Sequence, residues 1–404
     1  MSTEPEMEGT RPKDPPSSSK TKGRGGLVGF VASDHRYVFL GTSALALVGL
    51  ALANQPHSAS SFLARSYAVE VVLYYVLVAW IVVSLVALVN KLAKWRGDEY
   101  AKTSPFKRPQ AVRAERICSY VVWAIVATFV VDRVVVGAAD LVSSSIAQSK
   151  NPTDFFSSAV YMIYSMRDEF ATGIVNTVIL AVVGTVIAFF LAILLVFLRL
   201  QTIERTDDDF VRFLKTVGSG FARVYSAVVR GTPMMVQGLI IYYGGTSLLT
   251  ARGMSATQIL GVWPPFTAAM VTIALNSTAY MMEVLRSGIG AVDPGQAEAA
   301  RSLGLSQWQA MRSVVFPQGI LNAVPALSNE LVINIKDSSV LMVIGVVELM
   351  FASRTITGVY YKQLPVYVVT AVCYLVLTML ATKLLNVLAV RLGAKPSDGV
   401  TSSN

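Results

Sequence analysis

Asp293-Pro-Gly-Gln-Ala-Glu-Ala-Ala-Arg-Ser-Leu-Gly304, continuing through Ser306-Gln-Trp-Gln309 to Pro317, is a short polar stretch set between long apolar segments. Asp293 suits an N-cap, Pro294 the first helical position, and Gln296 stands at the capping-box position. Gly304 supplies the left-handed residue that commonly ends a helix. Ser306 and Gln309 repeat the box spacing for a second helix, which Pro317 is expected to close. Trp308, Met311 and Val315 fall on one face of that second helix, so the face should be buried against this chain or a partner. The stretch therefore reads as a capped helical hairpin between membrane segments, either a docking surface or a helix pair packed only on its own chain.

The surrounding composition places the chain in a bilayer. With 53% hydrophobic residues, 15% charged and a mean hydropathy of +0.55, 404 residues carry too little polar side chain to cover a soluble globule. Apolar segments of roughly spanning length run at 38 to 53, 69 to 89, 117 to 136, 171 to 198, 233 to 250, 263 to 285, 321 to 348 and 365 to 390. The sequence thus predicts an all-α polytopic membrane protein of about eight transmembrane helices. The first segment is short, and the third carries Asp132 and Arg133 near its end.

Lys and Arg accumulate on the cytoplasmic side of membrane proteins. With both termini inside, 25 of the 34 basic residues fall in cytoplasmic segments and six in outer loops. That orientation puts the Glu298 to Pro317 loop in the cytoplasm. The net charge of +9 goes with residues flanking apolar spans, without the patterns of a nucleic-acid reader, and suits anionic headgroups. Residues 1-29 have the Pro, Ser, Lys and Gly content of a disordered tail. Ala51-Leu-Ala53 mimics a signal-peptidase site, but the long preceding tail favours an uncleaved span.

No reactive constellation stands out. Cys118 and Cys373 lie in apolar spans and read as small core residues. His35 and His57 fall in loops on opposite sides, which disfavours a shared metal. No phosphate-binding loop of the G-x-x-x-x-G-K-[ST] type is present, so ATP-driven chemistry would belong to another polypeptide. Arg230-Gly-Thr-Pro233 reads as a helix start with Thr232 as N-cap. Within the spans, Asn276, Tyr280 and Glu283 share one helix face, as do Glu330, Asn334 and Asp337, with Lys336 beside the last. Intramembrane charges are costly and normally face protein or water. Glu283 is expected to pair with Arg286. Asn276 and Tyr280 either line a pathway or bond a neighbouring helix, and the Glu330 to Asp337 group either meets cargo or forms structural ion pairs. Glu348 is expected at the outer face.

Several ordered motifs resemble the permease subunits of ABC importers, in the polar amino acid branch that includes histidine, glutamine, glutamate and arginine permeases. The hairpin carries that family's coupling-loop pattern as Glu298, Ala299, Ala300, Gly304, Val314, Phe316 and Pro317, with conservative replacements of the usual Ile and Leu. Arg230-Gly-Thr-Pro-Met-Met-Val-Gln237, Tyr242-Tyr-Gly244, Asn276-Ser-Thr-Ala-Tyr-Met-Met-Glu283, Pro325-Ala-Leu-Ser-Asn-Glu330 and Lys336-Asp-Ser-Ser339 match the branch as well. The resemblance covers roughly Phe170 to Leu392, and the first 150 or so residues depart from the usual five-helix subunit.

It implies a five-helix permease core over 170-392 with a coupling loop at 286-318, a tail at 393-404, and an N-terminal extension over 30-151 with about three transmembrane helices. It implies no catalytic residue and no cofactor on this chain. ATP and Mg would sit on a partner ABC ATPase, engaged through Glu298, Ala299, Ala300, Gly304, Trp308 and Pro317. The other implied partners are an extracytoplasmic amino-acid-binding protein and a second permease subunit, the same chain or a related one. The substrate pathway would draw on Asn276, Tyr280, Glu330, Asn334, Lys336 and Asp337, in a bacterial cytoplasmic membrane. The alternatives from other classes are an ion-coupled secondary carrier, which would normally show related halves or paired broken helices, and a non-transporting membrane scaffold.

Overall fold

The computed structural model describes residues 42–93, 109–205 and 207–391. The tails at 1–29 and 393–404, His35 and most of the basic loop between the second and third apolar segments lie outside the described residues. The described chain is helical and divides into two compact units, Met1–Ser143 and Ser144–Asn404.

In the first unit, α1 (Thr42–Ala53) and α2 (Tyr67–Ala93) pack with a long helix formed by α3 (Pro109–Phe129), a π-helical turn (Val130–Val136) and α4 (Gly137–Ala147). Ala46, Leu77, Ala87, Val126 and Phe129 form its buried core. Asp132 and Arg133, which weaken the third segment as a plain span, are stabilised by partners some 60 to 70 residues away. Asp132 is fully buried and accepts hydrogen bonds from Ser61 Oγ (3.0 and 2.8 Å), Phe62 N (2.9 Å) and Leu63 N (3.2 Å). The Arg133 guanidinium bonds both Asp132 and Glu70 and lies 3.0 Å from His57 Nε2. The π turn widens the helix where these charges enter, a common device for re-aiming side chains. Their paired burial removes the cost that isolated charges would carry there.

The second unit is built around α10 (Pro265–Gly290), the most enclosed of the apolar helices, which packs on α6 (Arg167–Arg199) and α13 (Phe316–Asp337). Small residues make the close approach possible. A Cβ on Gly288 would lie 2.6 Å from the Gly319 carbonyl oxygen, and one on Gly319 would lie 2.8 Å from Ile289 Cα. Around this centre come α5 (Phe155–Ser165), α7 (Asp209–Arg230), α8 (Met234–Ala251), α9 (Ala256–Val262), α11 (Pro294–Ser302), α12 (Gln307–Ala310), α14 (Leu349–Tyr360) and α15 (Gln363–Arg391). Outward faces remain apolar, as on α15 with Leu375, Met379, Leu380 and Leu384, which is the pattern of lipid contact.

Among the described residues, five helices are long and apolar enough to cross a membrane, and two further bent pairs qualify only when joined: Asp209–Arg230 with Met234–Ala251 at 109°, and Gln307–Ile344 with Leu349–Tyr360 at 52°. The expected eight is reached only by counting both bent pairs and the 12-residue α1. At ~1.5 Å per residue α1 measures about 18 Å, short of the ~30 Å hydrocarbon thickness.

Several local expectations give way to packing. Pro317 does not close the second hairpin helix. A π turn (Met311–Val315), in which Phe316 N–H reaches Met311 O, widens the backbone just before it, and the helix runs on through Pro317 into α13. Proline removes one donor and crowds the preceding turn, and the π turn absorbs both. Pro233, not Thr232, caps α8, and α7 ends three residues before it at Arg230. Thr232 Oγ1 bonds back to Val228 O at 2.9 Å. Cys118 is exposed rather than buried, because an apolar helix has a lipid-facing side. Glu348 is fully buried rather than at a surface. It caps α14 through Met350 N (2.9 Å) and Phe351 N (2.7 Å) and accepts from Tyr374 Oη (2.7 Å).

Candidate functional site

The hairpin is stabilised locally and anchored at its base. Asp293 Oδ1 accepts from Gly295 N at 2.8 Å, so the cap forms without the Gln296 box. Gly304 has φ +90° and closes α11 through Gly304 N to Arg301 O (2.9 Å) and Leu305 N to Ala300 O (3.3 Å). Ser306 and Gln309 form a complete capping box at the start of α12, at 3.2 and 2.8 Å.

Two contacts tie α12 to the C-terminal end of α6 and the residues just after it. Gln307 Nε2 donates to Thr202 Oγ1 at 3.0 Å, and Trp308 stands edge-on to Phe197 at 5.4 Å, with Phe316 on the other side at 4.7 Å. A cavity of about 290 Å³ lies at this base, lined by Phe197, Leu200, Thr202, Lys215, Gln307 and Trp308. Beside it the Lys215 ammonium bonds Asp207 at 2.7 Å and holds that carboxyl below the usual carboxylate range.

Of the residues the sequence singled out, Glu298, Ala299, Gly304 and Pro317 are exposed, Trp308 is 52% exposed, and Ala300 is buried inside the hairpin. The face expected to be buried is graded: Val315 is buried, Met311 half-buried and Trp308 open. Leu303, which the sequence reading passed over, is 83% exposed at the tip. An apolar residue immediately before a helix-ending glycine is the signal that identifies it. Glu298, Ala299 and Leu303 thus stand open toward the turn of the hairpin, and Trp308 stands half-open at its base.

The second group lies where α10 meets α13 and α8. Asn276 Nδ2 donates to Gln237 Oε1 at 3.0 Å. Gln237 Nε2 in turn bonds Val229 O (2.7 Å), Thr232 O (3.0 Å) and Thr232 Oγ1 (2.8 Å), which satisfies the carbonyls freed at the 109° bend. Gln237 is thus the residue that fixes the bend, a role invisible without the partners. The Arg230 guanidinium carbon lies 5.4 Å from the centre of the Tyr280 ring, within cation–π range. Glu283 takes the expected bond from Arg286 at 2.6 Å.

Asn334 spends its amide on packing: its Oδ1 accepts from Ser277 Oγ and its Nδ2 donates to Thr185 Oγ1, each at 2.8 Å, joining α6, α10 and α13. Glu330, 8% exposed, carries no hydrogen bond or ion pair among the described residues. Lys336 and Asp337 do not form an ion pair with each other; Lys336 is exposed and Asp337 half-buried. Consecutive helical residues point about 100° apart, so adjacency does not bring them together. Beyond them the helix passes into a 3₁₀ segment (Ser338–Ile344) and breaks at Gly345, φ +85°.

Comparison with known proteins gives this arrangement its family. A family model described as the inner membrane component of binding-protein-dependent transport systems matches residues 215–393. The nopaline transport system permease of Agrobacterium fabrum is 30% identical over 229 residues, 56% of this chain and 88% of that protein. The chain belongs to this permease family. The glutamine transport system permease of Escherichia coli K12 is 36% identical over 177 residues, 43% of this chain and 77% of the relative. The L-cystine transport system permease of Bacillus subtilis is 37% identical over 159 residues, 39% of this chain and 65% of the relative. A solved amino acid ABC transporter with bound histidines matches 59% of this chain and 99% of its own at 34% identity, with a TM-score of 0.49.

The permease is a multi-pass membrane protein and a transport subunit, not itself an enzyme. As a member of a binding-protein-dependent family it works with an ATPase and a binding protein and carries no cofactor of its own. The secondary-carrier and scaffold alternatives fall with that assignment.

Proposed function

We propose that this permease carries a polar amino acid across a bacterial cytoplasmic membrane, driven by a separate ABC ATPase that holds ATP and Mg. The ATPase docks on the 293–317 hairpin through Glu298, Ala299, Leu303 and Trp308, while Gly304 sets the angle between its two helices. Both termini and the hairpin face the cytoplasm. An amino-acid-binding protein delivers cargo at the opposite face, and a second permease subunit completes the pathway. Residues 170–392 form the transport core, and the first unit is an added module.

The observation that carries this reading is the hairpin itself, which is capped at both helix starts, turned by a left-handed glycine, anchored next to α6, and exposed at Glu298, Ala299 and Leu303 around the turn. The amino acid relatives support the cargo class. Along the pathway, Asn276 is buried against Gln237 and the Tyr280 ring lies under Arg230, while Glu330, Lys336 and Asp337 are ionisable groups with no hydrogen bond or ion pair among the described residues. Free acidic and basic groups suit a zwitterionic cargo. Asn334 acts one step back, holding α13 against α6 and α10.

The test is mild-detergent purification of the tagged full chain with mass spectrometry of what accompanies it, repeated with Gly304→Val. Recovery of an ABC ATPase that the variant loses supports the reading. A folded permease that never retains an ATPase refutes it. Asp337→Asn checks the pathway separately: unchanged uptake across a panel of amino acids removes Asp337 from it.

A further inference from the structure

The helix α7, Asp209–Arg230, joins the inner end of α6 to the membrane-crossing α8 and has three distinct faces. Its packing face, Ser219, Ala222 and Ser226, is buried and small, and lies against α6 and α10. A second stripe, interleaved with the edge of the first, holds Arg212, Thr216, Arg223 and Arg230; Arg212 Nη2 donates to Arg205 O and Arg223 Nη2 to Ser219 Oγ, each at 3.2 Å, and Arg230 stands over the Tyr280 ring. The third, Phe210, Phe213, Leu214, Val217, Phe221, Val224 and Val228, is exposed at every position, between 51% and 68%. Large apolar side chains open along 22 residues need a non-aqueous neighbour.

We propose that α7 is an interfacial anchor, lying in the plane of the phospholipid surface on the hairpin side, with its apolar face in the acyl boundary and its arginine stripe among the headgroup phosphates. Direction comes first. The 109° bend sets α7 almost perpendicular to α8, so a crossing α8 leaves α7 close to the membrane plane. Gln237 fixes that bend by satisfying the carbonyls of Val229 and Thr232.

Depth follows from the chain's own contacts. Lys215 Nζ donates to Thr202 O at 3.1 Å, and Thr202 Oγ1 accepts from Gln307, so α7 sits at the same end of the bundle as the hairpin. The occupant is lipid because the apolar helices on either side in the chain also turn large apolar side chains outward: Phe190 and Leu194 on α6 and Ile240 and Tyr243 on α8 are likewise open. A basic stripe beside an aromatic and aliphatic face is the composition that binds membrane surfaces. A transbilayer α7 would instead bring Arg212, Lys215, Arg223 and Arg230 into hydrocarbon along its length.

The proposal depends on the functional reading only for the name of the leaflet.

The test places single spin labels on the full chain in a Cys118→Ser, Cys373→Ala background, reconstituted in phosphatidylcholine–phosphatidylglycerol vesicles. Labels at Phe213, Val217 and Val224 should collide mainly with oxygen, and labels at Thr216 and Arg223 mainly with a water-soluble nickel chelate. Nickel-chelate collisions at Phe213, Val217 and Val224 would overturn the proposal by showing water there. Low collision with both reagents would overturn it by showing a protein cover, either a second permease or a partner. These readings need neither ATPase nor cargo, so they stand apart from the purification experiment.

Discussion

Gly304 offers the sharpest test of the hairpin, because its geometry separates two costs that usually come together. At φ +90° the backbone is left-handed, yet a Cβ built there meets nothing within 4 Å. Substitution therefore adds no clash, only the conformational penalty of an L-residue in that region, about 1–2 kcal/mol. Stiffening of the unfolded chain returns about 0.4–1 kcal/mol of global stability, but it does not restore the angle between α11 and α12.

If ATPase docking requires that angle, Gly304→Ala lowers the docking-competent population by a factor of about 5 to 30, since each ~1.4 kcal/mol is tenfold. Asparagine tolerates the region better and should lose less, and a β-branched valine more. The control is Gly290, which also has open space around its Cβ but no positive φ. The assay is ATPase retained per permease after detergent washing, together with ATP hydrolysed per amino acid taken up in proteoliposomes. The expected order is wild type and Gly290→Ala, then Gly304→Asn, Gly304→Ala and Gly304→Val. Equal retention in the alanine and valine variants would refute the reasoning, as would an equal fall at Gly290→Ala.

Three further outcomes follow from the packing. Arg133→Ala removes the cation shared by two buried carboxylates, leaving Asp132 with its Ser61, Phe62 and Leu63 hydrogen bonds and Glu70 with His57, and should cost up to about 3–5 kcal/mol, read as a lower thermal midpoint of the detergent-purified chain; an unchanged midpoint rejects the network as a stabilising element. Gly319→Ala drives a Cβ to 2.6 Å from Ile289 Cγ1 and 2.8 Å from its Cα, so overpacking of about 1–3 kcal/mol should appear in the same melt, with no penalty for Gly290→Ala. Because the Asp207 carboxyl is held below its ordinary value by Lys215, the loop contact to Glu204 N at 2.7 Å is fully present above the ordinary range near ~3.9 and weakens as pH falls through the depressed value. Amide hydrogen exchange at Glu204, corrected for its intrinsic pH dependence, should then speed up only at the acid end of a pH series, and loss of protection already near neutrality would contradict the assignment.

The features that the sequence carried openly were those whose chemistry is complete within a turn or two. Asp293, Ser306 with Gln309, and Gly304 act on backbone groups one to four residues away, so their roles follow from spacing alone. Long apolar runs commit a segment to helix in a bilayer for the same reason, since every backbone group must be satisfied inside the segment. Glu283 with Arg286 belongs to this class as well.

Tertiary structure decided whatever depended on a distant partner. Pro317 looks like a helix end until the π turn at Met311–Val315 lets the chain continue. Asn334 looks like a pathway residue until Ser277 and Thr185, 57 and 149 residues away, take up its amide. Glu348 looks like a surface group until Tyr374 and the start of α14 enclose it, and Asp132 like a flaw in a span until Ser61, Phe62 and Leu63 meet it. The open face of α7 is written in its sequence, but the bend that lays it beside the membrane exists only once Gln237 has found Val229 and Thr232. Local hydrogen-bonding rules are short-ranged and legible in order along the chain; the worth of a buried polar or charged group is set by what folding brings to it.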